Sequence, residues 1–346
     1  MKKRNIKALS ITELASAITG LDEQRHRSDQ ILQWLYQKGV TRFDRMTNLS
    51  LELRRLLDKR FVISSLEQIE ETHSNRDQSA KYLLRSEAGT LIETVLMESR
   101  GYQTICISSQ VGCPLRCSFC RTGTGGFERN LRSDEILNQV LHLKMNRIEP
   151  RHRFNIVFMG MGEPLLNLEN VTKALEILNS QHAFALAQKR ITLSTIGFPD
   201  IIERLTASPL KFGLAISLNA TTDRSRRKLM PQAAGIGETL QAAESFARNR
   251  RMRATLEYVL LSGVNDRPED ARRLADMTHG RPFKINLIPF NEWDGAPFKR
   301  PTEARIDRFV KILLPRAPAV TVRRSQGTDI DAACGQLRMR RERCRD

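Results

Sequence analysis

"TICISSQVGCPLRCSFCRTGTGG" spans Thr104 to Gly126. It opens on a short apolar run rich in β-branched residues, which predicts a strand. Cys113, Cys117 and Cys120 follow in a C-x3-C-x2-C spacing, and glycines close the stretch. A structural zinc site needs four protein ligands, usually in paired short spacings, and no second pair lies nearby. A four-iron cluster takes one thiolate per iron, so three thiolates leave one iron open. An open metal position is a place for chemistry rather than for folding alone. A zinc loop with a distant fourth ligand is the competing reading.

The same kind of run recurs along the chain. "FNIVFMG", "RITLSTIG", "FGLAISL", "ATLEYVLL", "KINLIPF" and "AVTVRRS" follow "TICISS". Helical stretches lie between them. In "SDEILNQVLHLKMN" Ser133 is placed to cap, and Ile136, Leu137, Val140 and Leu141 share a face. Regular alternation predicts βαβ units and a parallel sheet. The fold class is therefore α/β, a full or partial (β/α)6 barrel over residues 101–346. The motifs fall at the carboxyl ends of the strands, where barrels of this kind place their chemistry.

Residues 1–100 read differently, as an accessory domain of helices and then short strands. "RSDQILQWLYQKGV" is an amphipathic helix that stops at Lys38-Gly39, and "LELRRLLDKRFVI" is another. "SAKYLLRSEAGTLIETVLMES" predicts two strands around a Glu-Ala-Gly turn. Residues 1–60 hold 13 Lys or Arg against 7 Asp or Glu. That excess suits RNA contact, although a solvated helical face is the commoner cause.

The whole chain carries 56 Lys plus Arg against 39 Asp plus Glu, a formal charge of +17. Such a balance points to a polyanionic partner, most often nucleic acid. Apolar residues make up 40%, which excludes a disordered chain. No apolar run reaches the ~18 residues a membrane span needs, and the basic start lacks a signal-peptide core. We expect a cytoplasmic protein, where its six cysteines stay reduced and serve as ligands or catalysts.

"GMGEP", Gly160 to Pro164, is a turn whose glycines, Gly162 among them, let backbone approach a ligand closely. Ser194, Ser217, Leu218, Asn219 and Asn291 lie at later strand ends. Each alone is more often a local hydrogen-bonder. Cys106 lies on the strand entering the cysteine loop, and Cys334 in "GTDIDAACGQL". An ordinary buried cysteine is the default for either. Cys344 reads as an exposed bystander.

C-x3-C-x2-C after a strand of a βα repeat resembles the radical S-adenosylmethionine (SAM) signature. The resemblance implies a four-iron four-sulfur cluster on Cys113, Cys117 and Cys120, with SAM on the open iron. It makes Gly162, Glu163, Ser194, Ser217, Leu218, Asn219 and Asn291 the SAM contacts. "GCPLRCSFCRTGTGGFERNL", "GMGEPLLN", "LSTIG", "INLIPFN", "GTDIDAACGQL" and "QILQWLYQKGV" together resemble the RlmN/Cfr family of radical SAM RNA methyltransferases. That likeness covers nearly the whole chain.

The family's reaction implies roles by motif. One SAM methylates Cys334; a second yields the radical that takes hydrogen from that methyl group. The carbon then joins an adenine of RNA, and Cys106 attacks the Cys334 sulfur, forming a transient disulfide and releasing methylated RNA. Glu93 falls where the family's candidate base lies. "RSRRKLMP" supplies Arg224, Arg226, Arg227 and Lys228 as candidate phosphate contacts. The target is adenine carbon 2 of ribosomal RNA, with transfer RNA as a second substrate and Cfr-like carbon 8 as the alternative. A flavodoxin-type electron donor and a monomeric state complete the expectation. The family commonly has His at Asn219 and a small residue at Arg121. A reading of another class, a non-catalytic RNA-binding protein with a structural metal, stands beside it.

Overall fold

The computed structural model describes residues 3–99, 101–148, 153–317 and 319–338. Cys344 lies outside them. Ten strands form one sheet. In chain order they are β1 (Glu67–His73), β2 (Ala80–Arg85), β3 (Leu91–Ser99), β4 (Tyr102–Cys106), β5 (Phe154–Phe158), β6 (Ile191–Thr195), β7 (Gly213–Ser217), β8 (Ala254–Leu260), β9 (Phe283–Pro289) and β10 (Val320–Val322). Spatial order follows chain order from one edge to the other. Strands β4 to β10 pair parallel, and β1 to β4 antiparallel.

Parallel neighbours need a crossover, and each crossover here is helical. The helices are α4 (Ser133–Asn146), α5 (Leu168–Asn179), α6 (Pro199–Ala207), α7 (Ile236–Asn249), α8 (Pro268–Thr278) and α9 (Glu303–Leu313). Before them come α1 (Ile11–Thr19), α2 (His26–Leu32) and α3 (Leu51–Arg60). Six β/α units and a seventh parallel strand thus make a partial, open barrel from the alternating runs. Ser133 does not cap α4. It is the first helical residue, and its hydroxyl donates to Ala8 O at 3.3 Å, while Glu135 caps the Arg132 N–H at 2.9 Å.

The helices before residue 63 and the strands after it attach in two ways. Apolar residues of α1 to α3, among them Leu14, Ile31 and Leu53, join one continuous core with Ile105, Ile156 and Leu193 of the sheet. Lys7 stitches the same contact: its ammonium donates to Ser64 O and to Asn138 Oδ1 of α4, both at 2.9 Å. Strands β1 to β3 instead extend the barrel sheet itself, with β3 paired to β4 from Val95–Cys106 to Ser99–Tyr102.

Candidate active site

The cysteine loop is clamped at its base. Gln110–Gly112 pairs with Phe127–Asn130, and Cys113 N–H donates to Gly126 O at 2.8 Å. Gly112 has φ +74, and a Cβ there would meet Gly126 O at 2.1 Å. Only glycine allows that crossing. Behind the loop, the buried amide of Gln139 on α4 accepts from Ser108 N–H at 2.8 Å and donates to Ser108 O at 2.9 Å. At its far end Ser118 N–H donates to Leu229 O at 2.9 Å and Arg121 N–H to Gly335 O at 2.8 Å.

Cys113, Cys117 and Cys120 face one cavity of about 160 Å³. Burial pushes the Cys113 thiol up to about 12, and burial, then the neighbouring thiols, push Cys117 well up. Three thiolates are tolerable here only with cationic metal between them. Three soft thiolate donors facing one cavity fit a four-iron cluster that keeps one iron open.

Gly162, Glu163, Ser194, Ser217, Asn219, Asn291 and Cys334 line the same cavity. Glu163 is buried, and its carboxylate accepts Leu165 N–H and Ile196 N–H, each at 3.0 Å. Burial still raises it to about 7. Asn291 donates to Ser325 Oγ at 2.9 Å and to Cys334 O at 3.2 Å, while its buried carbonyl oxygen has no partner. A buried carboxyl without a cation and an orphaned acceptor in one cavity suit the ammonium of SAM. Gly162 also answers to the protein itself: with φ +99, a Cβ there would lie 2.5 Å from the Gln110 side chain.

Other sequence-predicted residues are placed differently. The Leu218 side chain lies in the core and does not line the cavity. Asn219 takes φ +55, accepts Val259 N–H at 2.8 Å and points its amide at Met230 Sδ, so its side chain braces the loop. Arg226 corrects the expectation of an RNA contact. It is 0% exposed, and its guanidinium donates to the carbonyls of Ala234, Ser217, Leu218 and Ile196, tying the ends of β6 and β7 together. Arg224, Arg227 and Lys228 of that short helix, Asp223–Leu229, are exposed.

After β10 the chain returns over the cavity. Arg121 Nη1 donates to Asp331 Oδ2 at 2.6 Å and Thr122 Oγ1 to Leu337 O at 2.5 Å, so the Cys334 loop rests on the cysteine loop. It also reaches β3: Arg338 N–H donates to Glu93 Oε2 at 2.9 Å. Glu93 is buried, with Lys81 Nζ 3.8 Å from its other oxygen. Cys106 ends β4 and shares a second, small cavity with Cys334. The five described cysteines are all free thiols, so a disulfide is not a resident feature.

Arg323 also faces that second cavity, and sequence reasoning missed it. Nothing in "VTVRRS" distinguishes it among 56 basic residues.

Comparison with known proteins agrees with this geometry. The Radical SAM superfamily model matches residues 107–275, and the model of the ribosomal RNA large subunit methyltransferase N-terminal domain matches residues 4–63. The chain is 45% identical to the dual-specificity RNA methyltransferase RlmN of Geotalea uraniireducens, covering 98% of each. The chain belongs to the RlmN family. A probable RlmN of Thermotoga maritima is 43% identical over 99% of both chains. A crystal structure of a radical SAM methyltransferase from Sphaerobacter thermophilus superposes with a TM-score of 0.90 at 39% identity, covering 97% of this chain and 100% of that one. As a member of the RlmN family this protein is a radical SAM RNA methyltransferase. Its cofactors are a four-iron four-sulfur cluster and SAM, and its substrate is RNA. Among the described residues no helix is long and apolar enough to cross a membrane.

Proposed function

We propose that this enzyme methylates carbon 2 of an adenine in ribosomal RNA, through a methylated Cys334 and a transient protein–RNA adduct that Cys106 resolves. One observation carries the reading. Cys334 lies in the wall shared by two cavities, with the three ligand cysteines in one and Cys106 in the other. A single thiol there can be served from the cofactor side and released from the Cys106 side. The relatives are named dual-specificity RNA methyltransferases, and we extend that to transfer RNA as a second substrate.

In this scheme Cys113, Cys117 and Cys120 hold the cluster. Glu163, Asn291, Ser194 and Ser217 hold SAM, with backbone of Gly162, Leu218 and Asn219 beside it. When bound, the cluster and SAM supply a carbon-centred radical, a species able to act on a ring carbon that is a poor nucleophile. Cys334 carries the methyl group on its sulfur and presents it to the flipped-out adenine. Glu93 accepts the ring proton, and the unpaired electron of the adduct would return to the cluster. Cys106, as thiolate, then attacks the Cys334 sulfur. The S–S bond forms, the carbon–sulfur bond breaks, and its electron pair leaves with the RNA carbon, which takes a proton to become methyl. A thiol reductant resets the pair. Two SAM molecules are consumed per methylation. We further propose a flavodoxin-type electron donor, a cytoplasmic monomer, and RNA binding by residues 1–100.

The test is an anaerobic assay with SAM, reductant and ribosomal RNA fragments, followed by mass spectrometry of the nucleosides. We expect 2-methyladenosine. Modification at carbon 8 would overturn the regiochemistry, and unmodified adenosine from cluster-loaded protein would overturn the substrate.

A further inference from the structure

The release step places a demand on Cys106 that its surroundings oppose. Only a thiolate attacks a sulfur efficiently. Yet Cys106 is buried at the end of β4, and burial, reinforced by the nearby Cys334, pushes its thiol up to about 12. With both thiols unmodified, and even with the field of Arg323 acting on it, the Cys106 thiol stays almost wholly protonated at neutral pH.

The cations around the cavity are mostly committed. Lys81 faces the Glu93 carboxylate at 3.8 Å, and Arg121 is paired with Asp331 at 2.6 Å. Arg323 is different. Its main chain is fixed to β9 through Arg323 N–H and Leu287 O at 2.8 Å, just past the last strand. From there its side chain crosses the open barrel toward β3 and β5. Its Nη1 points at Met159 Sδ, 3.7 Å away, and its Nη2 at Met97 Sδ, 4.0 Å away. Thioethers are weak acceptors. Among the described residues Arg323 makes no ion pair with a carboxylate; Glu257 acts on it only through its field. A guanidinium set among sulfurs, in the cavity that Cys106 and Cys334 share, is a charge awaiting an anion.

We infer that Arg323 is a positioning residue for the release step: it holds the thiolate of Cys106 and so enables attack on the Cys334 sulfur. This rests on the two-cysteine reading above. The fields agree with it, since Cys334 and Cys106 both raise Arg323, and Arg323 lowers Cys106. It also orders the reaction. While both thiols are unmodified they compete for one guanidinium. Once Cys334 carries a methyl group it is a neutral thioether, and Arg323 is left to Cys106. The other charged groups on this side, Glu93 on β3 and Lys81 on β2, face each other, and Glu93 takes the ring proton before the exchange begins.

The experiment uses cluster-loaded enzyme, SAM, reductant and a ribosomal RNA fragment in single turnover between pH 6.5 and 9.5. Adduct is read on a denaturing gel and released RNA by mass spectrometry. An opposite charge at close range moves a pKa by about 1–3 units. Arg323→Met is therefore expected to slow release about 10- to 1000-fold at pH 7 and to accumulate adduct. Its release rate should climb about tenfold per pH unit, as expected where the thiolate fraction limits. Arg323→Lys should restore most of the rate. Wild-type release and an unchanged pH profile in Arg323→Met would overturn the inference. So would folded, cluster-loaded Arg323→Met that forms no adduct, because the defect would then lie earlier. If Arg323→Met does not fold, Arg323→Gln is read the same way. Cys106→Ala is the control: if it traps no adduct, the two-cysteine reading falls, whatever Arg323 does.

Discussion

The cysteine loop and the Cys334 loop meet at one cavity but are fastened in different ways. Cys113 and Cys117 are buried among Leu115, Met230 and Phe290, and main-chain bonds clamp their loop from several sides. The Cys334 loop buries Ala332 and Leu337 in a small apolar cluster with Val95 and Met161, and polar side chains tie down its start. Asp77 accepts Gly327 N–H at 2.9 Å, Asp329 accepts Ser74 Oγ at 2.7 Å and Asn75 N–H at 2.9 Å, and Asp331 pairs with Arg121. Gly327, Asp331 and Gly335 all take left-handed backbone. Several of these bonds are solvent-exposed, and each is worth little by itself. A resident cofactor needs a rigid cradle. A cysteine that exchanges partners sits better on a segment that can shift at small cost.

The contrast breaks most sharply at the cradle. Cys113→Ala, Cys117→Ala or Cys120→Ala should each abolish cluster binding and SAM cleavage, because three ligands leave no spare. Iron content and visible absorption check this; near-normal values in any one variant would refute the ligand set. Cys334→Ala, on the other loop, should keep its iron and its absorption while losing all methyl transfer.

Next in size is the exchange itself. Cys106→Ala should retain the early steps and trap RNA on Cys334, giving a crosslink on a denaturing gel that needs SAM and reductant. Cys106→Ala combined with Cys334→Ala should show none. Normal turnover by the single variant would make Cys106 an ordinary core residue.

Glu163 sharpens the cradle side. Its carboxyl, raised to about 7 by burial, is partly protonated at neutral pH. An ammonium placed beside it lowers that pKa, so SAM binding should release a proton near pH 7. Calorimetry of the cluster-loaded enzyme in buffers of different ionisation enthalpy measures the release. Glu163→Gln should abolish it and weaken SAM binding about 10- to 100-fold, the worth of one charge-assisted hydrogen bond. Proton uptake, or no change, would place the ammonium elsewhere.

The smallest effect belongs to the polar fastening. Asp77→Ala removes the acceptor of Gly327 N–H and should cost about 1 kcal/mol locally. Amide exchange over residues 327–338 should accelerate about fivefold while residues 113–120 stay unchanged. Equal acceleration in both loops would mean that they open as one unit.

The strand runs from "TICISS" to "AVTVRRS" were all legible, because apolar β-branched residues between helical stretches mark a buried parallel sheet. Strand β1, "EQIEETH", was not. It is a mostly exposed edge strand, and main-chain pairing to β2 decides it rather than an apolar face. The helix Asp223–Leu229 reads as a run of charge, and only the structure separates buried Arg226 from its exposed neighbours. Ser133 has the chemistry of a cap, but Glu135 occupies that role and Ser133 turns to Ala8.

What the sequence by itself determined is local. Spacing put three thiols on one loop, and alternation put that loop at a strand end with "GMGEP", "LSTIG" and Ser217 to Asn219 at others. What only the tertiary structure decided is which distant groups meet. Cys106 and Cys334, more than two hundred residues apart, share a cavity because β10 closes the far edge of the barrel and the chain returns across it. Arg323 lines the same cavity for the same reason. Residue patterns encode which face of an element is buried. The meeting of two particular side chains depends on sheet order and closure, which many weak contacts settle together and no short stretch records.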